Sequence, residues 1–168
     1  MRLRKLEQRD AERMLAWMHD NSVVEKLQTD FASKTLRDCK KFIEHSQDEK
    51  NIHLAIIDDK DIYMGTVSLK NITDATAEFA ITVCKEAMGK GYAIWAMKEI
   101  IKIGFEEYGL SKIYWCVAPD NLRALRFYDK NQFMRIDANN IEITGGYTQE
   151  QIDSYVWYEV LKSYTRLD

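Results

Sequence analysis

The chain has 168 residues, of which 46% are hydrophobic and 30% are charged, and its formal net charge is -3 at pH 7. This length favours one domain over residues 1–168, and seven glycines with a single proline leave no composition typical of a linker. The negative charge argues against nucleic acid as a partner, because phosphate backbones are bound by clustered Lys and Arg.

Other classes are excluded by local composition. No stretch approaches the roughly 20 apolar residues that span a bilayer, and the first residues do not resemble a signal peptide. We therefore expect a cytoplasmic protein with no membrane partner. The cysteines lack the close pairing of a zinc or redox motif and the histidines share no ligand spacing, so reduced thiols and no metal are expected. These residues are Cys39, Cys84, Cys116, His19, His45 and His53.

The first third of the chain reads as a strand followed by short helices. Residues 2–6 are predicted to form the strand, and Asp10 is the expected N-cap of a helix through His19. The apolar face of that helix is predicted to carry Met14, Leu15 and Met18. A second short helix is expected at Ser22–Leu27, before an irregular stretch through Phe31.

A third helix and a hairpin follow. Thr35 and Asp38 match a capping box, after which Leu36, Cys39 and Ile43 fall on one helical stripe. Alternating residues 51–57, a turn at 58–61 and a second apolar run through Leu69 predict a β-hairpin.

The middle of the chain reads as strand, glycine turn and long helix. Residues 76–84 alternate, with one predicted face carrying Ala77, Phe79, Ile81 and Val83. After Gly89-Lys90-Gly91, a helix of about five turns is predicted by the spacing of Ile94, Met97, Ile101, Phe105 and Tyr108, and Gly109 is expected to end it.

The last third predicts alternating strands and helices. Residues 112–117 read as a strand, and Pro119-Asp120-Asn121 is expected to cap a short helix that ends at Lys130. Strand-like segments follow at 133–138 and 155–161. The chain is therefore predicted to be an α/β domain with a mixed central sheet of about six or seven strands flanked by helices.

The glycine turn is the first candidate site. Gly89 and Gly91 allow close backbone approach to a ligand, and the following helix directs unpaired N–H groups at its N-terminus. Such a turn suits phosphate, with Lys85 and Lys90 nearby. It lacks the spacing of a nucleotide P-loop and the third glycine of a dinucleotide fingerprint. Taken alone, a plain strand-to-helix turn explains it equally well.

The second candidate segment is the helix from Asn121 to Tyr128. Its tyrosine hydroxyl could reach the reactive end of a ligand bound at the glycine turn. The alternative is a capped amphipathic helix, with Ala124 and Phe127 in the core and Tyr128 half-buried. The order of strand, glycine turn, helix, strand, helix and tyrosine favours the ligand interpretation.

Together the two segments resemble a known family. Gly-x-Gly-x-Ala at residues 89–93, followed by Asn-x-x-Ala-x-x-Phe-Tyr-x-Lys-x-x-Phe at residues 121–133, is similar to the central motifs of the GNAT superfamily of N-acetyltransferases. The resemblance implies the single-domain GNAT fold and acetyl-CoA as co-substrate. It also implies that the backbone of Ile81 and Val83 pairs with the pantetheine arm, and that Asn121 binds the pantetheine or acetyl end. The pyrophosphate would be held by Met88, Gly89, Lys90, Gly91, Tyr92 and Ala93.

Two positions depart from the family pattern. Glu86 stands where the family usually has Arg or Gln, which places a carboxylate near the phosphates and weakens CoA binding unless it points away. Gln132 stands where Gly often precedes the final Phe, which bears only on a turn conformation.

The mechanism follows from the acidity of the reacting groups. A primary amine of pKa about 10.4 must lose a proton before it can attack a thioester. Glu78, on the opposite face of its strand from Val83, is the predicted base, acting through a water; a surface or hairpin-paired carboxylate is the alternative. A backbone N–H near Val83 would stabilise the developing oxyanion. By the resemblance, Tyr128 would protonate a CoA thiolate of pKa about 8.5, and no covalent enzyme intermediate is needed.

The acceptor is expected to be a small-molecule primary amine, bound between residues 17–31 and 141–157. The acidic residues Asp20, Glu25 and Asp30 predict attraction of a cation such as a polyamine. The sequence also resembles transferases that act on nucleotide-linked amino sugars and those that acetylate ribosomal-protein N-termini. A non-catalytic acetyl-CoA sensor remains an alternative of another class. Related enzymes are often homodimers, so a homodimer is possible here.

Overall fold

The structure, a computed structural model, describes residues 1–27, 29–140, 142–143 and 145–164. Seven strands form one mixed sheet: β1 (Arg2–Lys5), β2 (Ile52–Ile57), β3 (Tyr63–Lys70), β4 (Thr76–Val83), β5 (Lys112–Val117), β6 (Met134–Ile136) and β7 (Val156–Leu161). The helices of the described residues are α1 (Ala11–Met18), α2 (Asn21–Val24), α3 (Leu36–Glu44), α4 (Tyr92–Glu106), α5 (Leu122–Lys130) and α6 (Gln149–Ser154). The predicted α/β class is confirmed.

The sheet divides in its middle. Its strand order is β1-β2-β3-β4-β5-β7-β6, and the β4–β5 pair is parallel whereas the other neighbours are antiparallel. The register of β4 with β5 covers only Thr76–Glu78 against Lys112–Tyr114. Beyond it, β4 remains paired with β3 as far as Val83, and β5 remains paired with β7 as far as Val117. The two halves of the sheet therefore separate after Glu78 and leave a cleft.

Helices cover both faces of the sheet. One core cluster joins α4 to the inward residues of the central strands, which include Leu54, Ile56, Val67, Leu69, Ala77 and Phe79. The other cluster joins α1 and α3 to the opposite face through Met14, Trp17, Cys39, Ile43, Ala55 and Ile57. Strict alternation along β2 and β4 explains this division, because successive side chains point to opposite faces.

Helix α4 is shorter than the sequence predicted. It ends at Glu106, Tyr108 is 39% exposed, and Gly109 follows with a left-handed φ of 68°. The amide of Leu110 donates to the Gly104 carbonyl at 3.0 Å, and the Leu110 side chain is fully buried. Burial of Leu110 therefore turns the chain back early, and Tyr108 does not belong to the apolar stripe.

Asp10 occupies the predicted N-cap position of α1, but its side chain does not cap that helix. Its carboxylate accepts the amide of Glu7 at 2.8 Å and the guanidinium of Arg4 at 2.7 and 2.8 Å. Asp10 therefore ties β1 to the short 3₁₀ turn before α1.

Helices α3 and α6 each begin with a capping box, and only that of α3 was predicted. The Thr35–Asp38 capping box of α3 is confirmed. Helix α6 is an addition to the predicted C-terminal strands, and it begins with a capping box between Thr148 and Gln151. The Thr-x-x-Gln spacing is the signal that could have predicted it.

Candidate functional site

A cavity of about 660 Å³ lies at the cleft between β4 and β5. One part of its wall comes from β4, β5 and α5, and we call this part the strand arm; it includes Ile81, Thr82, Cys116, Val117, Asn121 and Tyr128. The other part, which we call the helix arm, is lined from α1, α3, the segment between α2 and α3, and the facing side of β2 and β3. It includes Trp17, Phe31, Phe42, His53, Ser68 and Lys70.

Glu78 lies where the two arms meet. It is the last β4 residue in register with β5, and it is 4% exposed. Its carboxylate accepts hydrogen bonds from Lys70 Nζ at 3.0 Å, Asn71 Nδ2 at 3.1 Å and the Tyr147 hydroxyl at 2.5 Å. A carboxylate offers about four lone-pair positions, so these three donors leave room for one further partner such as a water. Glu78 is buried and not the surface carboxylate of the alternative interpretation, although Lys70 is its partner across the β3–β4 hairpin.

Tyr128 reaches the cavity from α5. Its ring packs among Trp115, Phe133 and Tyr158 and is 7% exposed. Its hydroxyl makes no hydrogen bond to another residue in the described part of the chain. Burial, with Tyr158 and Cys116 nearby, raises the pKa of the phenol well above its ordinary value. The hydroxyl is therefore protonated at neutral pH and available to a ligand, rather than half-buried and passive.

Asn121 lines the cavity as the N-cap of α5. Its Oδ1 accepts the amide of Ala124 at 3.2 Å, and its Nδ2 lies 3.5 Å from the Lys26 carbonyl oxygen. The Asn121 Oδ1 atom is therefore occupied by the helix cap. The Nδ2 contact is long, so Nδ2 is the Asn121 atom that could donate a hydrogen bond to a ligand.

The glycine turn lies beyond the end of the cavity. Ile81 lines the cavity, whereas Val83 and residues 88–93 do not. Gly89 and Gly91 are exposed, with φ of 73° and 84°. Their amides donate to no other group in the described chain, and the first amides of α4 have no partner within the helix. The amides of Gly89, Gly91 and the first turn of α4 thus present unpaired backbone donors that fit a phosphate.

The structure resolves both departures from the family pattern. Glu86 forms an ion pair with Arg13 of α1, so its negative charge is balanced by a guanidinium. Gln132 adopts a left-handed φ of 62°, which is the conformation that glycine would favour there. The turn before Phe133 is therefore kept without a glycine.

The predicted attraction of a cation by Asp20, Glu25 and Asp30 is not supported, because none of the three lines the cavity. Asp20 instead caps α2 through the amide of Ser22 at 3.0 Å, and Asp30 accepts the amide of Ser33 at 3.2 Å. Local backbone donors therefore hold two of these carboxylates outside the site.

Lysines line the cavity, whereas Asp20, Glu25 and Asp30 do not. The charged lining residues are Lys26, Lys34, Lys41, Lys70, Asp38 and Glu78. Lys26 pairs with Asp120 and Lys70 pairs with Glu78, whereas Lys34 and Lys41 form no ion pair with another described residue. The helix arm is therefore positively charged although the whole chain is negative.

Two site residues were missed by the sequence reasoning. His53 lies beside Phe42, and its Nδ1 is 2.7 Å from Ser68 Oγ. Burial and the charge of Lys70 lower the pKa of His53 to about 4, so the ring is neutral at neutral pH. Tyr147 comes from the segment before α6. Neither has a motif: His53 falls within an otherwise apolar strand, and Tyr147 follows two glycines.

The described residues contain neither a helix that could span a membrane nor a cluster that could bind a metal ion. No helix there is long and apolar enough to cross a bilayer. No group of three or more His, Cys, Asp or Glu there is placed to hold a metal ion.

Comparison with known proteins identifies acetyltransferases as relatives of this chain. The family model described as an acetyltransferase (GNAT) domain matches residues 1–134. Acetyltransferase PseH of Campylobacter jejuni is 27% identical over 135 residues, which cover 79% of this chain and 82% of that protein. PseH from a second C. jejuni strain is 30% identical over 91 residues, which cover 54% of this chain and 56% of that protein.

Solved structures share the fold at low identity. Spermidine N-acetyltransferase from Vibrio cholerae, in complex with CoA and spermine, has a TM-score of 0.77 at 21% identity and covers 96% of this chain and 95% of its own. A GNAT-family acetyltransferase from Bacillus anthracis has a TM-score of 0.73 at 22% identity, covering 96% and 94%. Since the family model spans most of the chain, this protein belongs to the GNAT acetyltransferase family.

Proposed function

We propose that the protein transfers an acetyl group from acetyl-CoA to a primary amine of a small molecule. The observation that carries the proposal is the cavity that joins Glu78 and Tyr128 across the split between β4 and β5. A buried carboxylate and a buried neutral phenol on two sides of one cavity suit a base and an acid acting on one reaction.

The path proposed for acetyl-CoA follows the strand arm. The segment from Met88 to Ala93 holds the pyrophosphate through the unpaired amides of Gly89, Gly91 and the first turn of α4, and the unpaired edge of β4 at Ile81 and Val83 pairs with the pantetheine arm. Asn121 donates to the pantetheine or acetyl end. The CoA bound in the related V. cholerae fold supports this choice of co-substrate.

The proposed chemistry is a direct transfer. The ammonium loses a proton through water to Glu78, and the amine nitrogen then forms a bond to the thioester carbon. The backbone N–H near Val83 stabilises the oxyanion, which collapses with cleavage of the carbon–sulfur bond. Tyr128 hydrogen-bonds to the leaving thiolate and passes it a proton, and the phenolate recovers a proton through water from the acylated nitrogen, which must lose its second proton to become an amide. Because the phenol is a weaker acid than the thiol it forms, most of its effect lies in that hydrogen bond.

The charge of the helix arm bears on the acceptor. Lys34 and Lys41 face the cavity with the Asp38 carboxylate nearby, but the two lysines outnumber this single carboxylate, so a polycation would meet net repulsion there. We therefore propose an amine whose scaffold carries an anionic group, such as a nucleotide-linked amino sugar, in preference to a polyamine. The aromatic rings of Trp17, Phe31 and Phe42 offer flat apolar surface for the rest of such a molecule.

The test is CoA release from acetyl-CoA in the presence of different amines. The panel comprises nucleotide-linked amino sugars, spermidine, and short peptides with free N-termini. We expect turnover on the anionic amino sugars. Turnover only on the peptides would favour ribosomal-protein-type N-terminal acetylation. Tight acetyl-CoA binding with no acetylated amine would favour the sensor role.

The Tyr128→Phe variant tests the acid. We expect turnover to fall roughly 10²-fold, the lower range of general acid catalysis, with acetyl-CoA affinity nearly unchanged because only one hydroxyl is removed. Tyr108→Phe is the matched control, since Tyr108 is exposed beyond the end of α4. Wild-type turnover by Tyr128→Phe would show that the acid is another group.

A further inference from the structure

We propose that Tyr147 is a positioning residue for the acetyl transfer proposed above, holding the Glu78 carboxylate toward the amine that it deprotonates. The inference depends on the proposed function, since it assigns a second residue to the same reaction. It also gives the segment before α6 a role in turnover, where the sequence predicted only a contribution to the acceptor pocket.

The first observation is the contact itself. The Tyr147 hydroxyl donates to Glu78 Oε1 at 2.5 Å, and both residues line the cavity. Lys70 Nζ of β3 shares the same oxygen at 3.0 Å, so two donors from separate segments of the chain define its position. Burial, with Cys116 and Glu78 nearby, raises the pKa of the Tyr147 phenol far above its ordinary value. The phenol therefore donates a hydrogen bond at neutral pH and does not compete as a base.

The second observation is how Tyr147 is itself held. Its ring packs edge-on against Trp157 of β7, with ring centroids 5.3 Å apart. Trp157 is 2% exposed, and its Nε1 donates to the Ile152 carbonyl of α6 at 2.9 Å. The next residue, Thr148, is the N-cap of α6. A tyrosine fixed on one side by a buried indole and on the other by a helix cap is suited to orient a partner.

The third observation is the glycine two residues earlier. A Cβ at Gly145 would lie 2.7 Å from Cε2 of Tyr147 and 3.0 Å from Oε2 of Glu78. Gly145 therefore permits the approach of these two side chains. At Gly146 a Cβ would meet nothing within 4 Å. This neighbouring pair of glycines provides one variant that disturbs the contact and one that leaves it intact.

The first experiment removes the hydroxyl. In Tyr147→Phe we expect kcat to fall about tenfold, part of the 10²–10⁴-fold supplied by acid–base catalysis, while KM for acetyl-CoA stays unchanged. Tyr108→Phe is the control, because Tyr108 is exposed and lies outside the cavity lining. Melting temperatures are measured for both variants, so that loss of folded protein is separated from loss of turnover.

The second experiment keeps the hydroxyl and displaces it. We expect Gly145→Ala to lower kcat in the same direction as Tyr147→Phe, since its methyl group pushes the ring or the carboxylate out of contact. Gly146→Ala is expected to match the wild type. Agreement between Tyr147→Phe and Gly145→Ala supports the positioning role, because the two changes share only the Tyr147–Glu78 geometry.

Each remaining outcome counts against the inference. If the wild type transfers acetyl groups and Tyr147→Phe does so at the same kcat, the positioning role is wrong while the proposed function stands. A lower melting temperature with unchanged kcat per folded molecule would show that Tyr147 serves folding only. If the wild type acetylates no amine, the proposed function fails, and the role of Tyr147 fails with it.

Discussion

At the scale of single residues, charge along the chain did not predict charge at the site. Asp20 and Asp30 lie in the segment expected to form the acceptor pocket, yet backbone amides hold them elsewhere. Lys34 and Lys41 belong to no motif in the sequence and line the cavity. A short polar side chain is held most readily by nearby backbone donors, whereas a long lysine reaches a cavity several ångströms from its own backbone.

The charge of the helix arm can be tested by reversal at one lysine. We expect Lys34→Glu to raise KM for anionic amine acceptors up to about 30-fold, since a pair of unit charges at 4 Å in water is worth about 1 kcal/mol and replacing attraction by repulsion changes the interaction by about 2 kcal/mol. Steady-state kinetics with an anionic and an uncharged acceptor measure the effect. Lys60→Glu, in an exposed turn, makes the same charge change outside the cavity. An equal rise for both acceptors would contradict an electrostatic origin.

At the scale of elements, the glycine turn and α4 form one unit. The turn places Gly91 as the N-cap of α4 with a left-handed φ of 84°, and Gly109 follows the other end of the helix with φ of 68°. A Cβ at either glycine would meet no atom within 4 Å, so both glycines are needed for conformation and not for space. The two glycines therefore differ mainly in their surroundings. Gly91 belongs to the turn proposed to bind phosphate, and Gly109 lies beyond the opposite end of α4.

Because Gly91 and Gly109 share a left-handed backbone conformation, their alanine variants form a matched pair. We expect Gly91→Ala and Gly109→Ala each to cost about 1 kcal/mol of unfolding free energy, because alanine is strained in the left-handed region. Only Gly91→Ala is expected to weaken acetyl-CoA binding, through the backbone amides of the turn. Denaturant titration and calorimetric binding measure the two effects. Equal acetyl-CoA affinities in the two variants would contradict a phosphate site at the glycine turn.

At the scale of the whole molecule, one carboxylate ties the N-terminus to the sheet. Asp61, in the turn between β2 and β3, pairs with Arg9, with Arg4 at 3.1 Å and with Arg2 at 3.0 Å. The hydrogen bonds from Arg9 and then Arg4 lower the pKa of Asp61 below its ordinary value. Ionised Asp61 therefore stabilises the fold above the unfolded-state pKa, and this contribution is lost as the pH falls through the folded-state pKa.

The pH dependence of stability follows from this direction. We expect Asp61→Asn to lower the melting temperature at neutral pH, and the difference from the wild type to shrink as the pH falls below the ordinary Asp pKa of about 3.9 toward the lowered pKa of folded Asp61. Asn suits the left-handed φ of 64° at this position, so the backbone is preserved. Thermal unfolding at several pH values measures the difference in melting temperature between this variant and the wild type. Asp74→Asn is the control, because Asp74 is exposed and makes no ion pair with a described residue; a pH-independent difference for Asp61→Asn would contradict the assignment.

The features that the sequence alone determined are local ones. The α/β class, the capping box at Thr35 and the glycine turn before α4 all depend on residues within about four positions of one another, where side-chain period and backbone hydrogen bonds act directly. The tertiary structure decided how far β4 and β5 pair, where α4 ends, and which charges face the cavity. It alone brought Tyr147 to Glu78, 69 residues away in the chain. Such contacts depend on the packing of separate elements against a common core, and no local spacing records that packing.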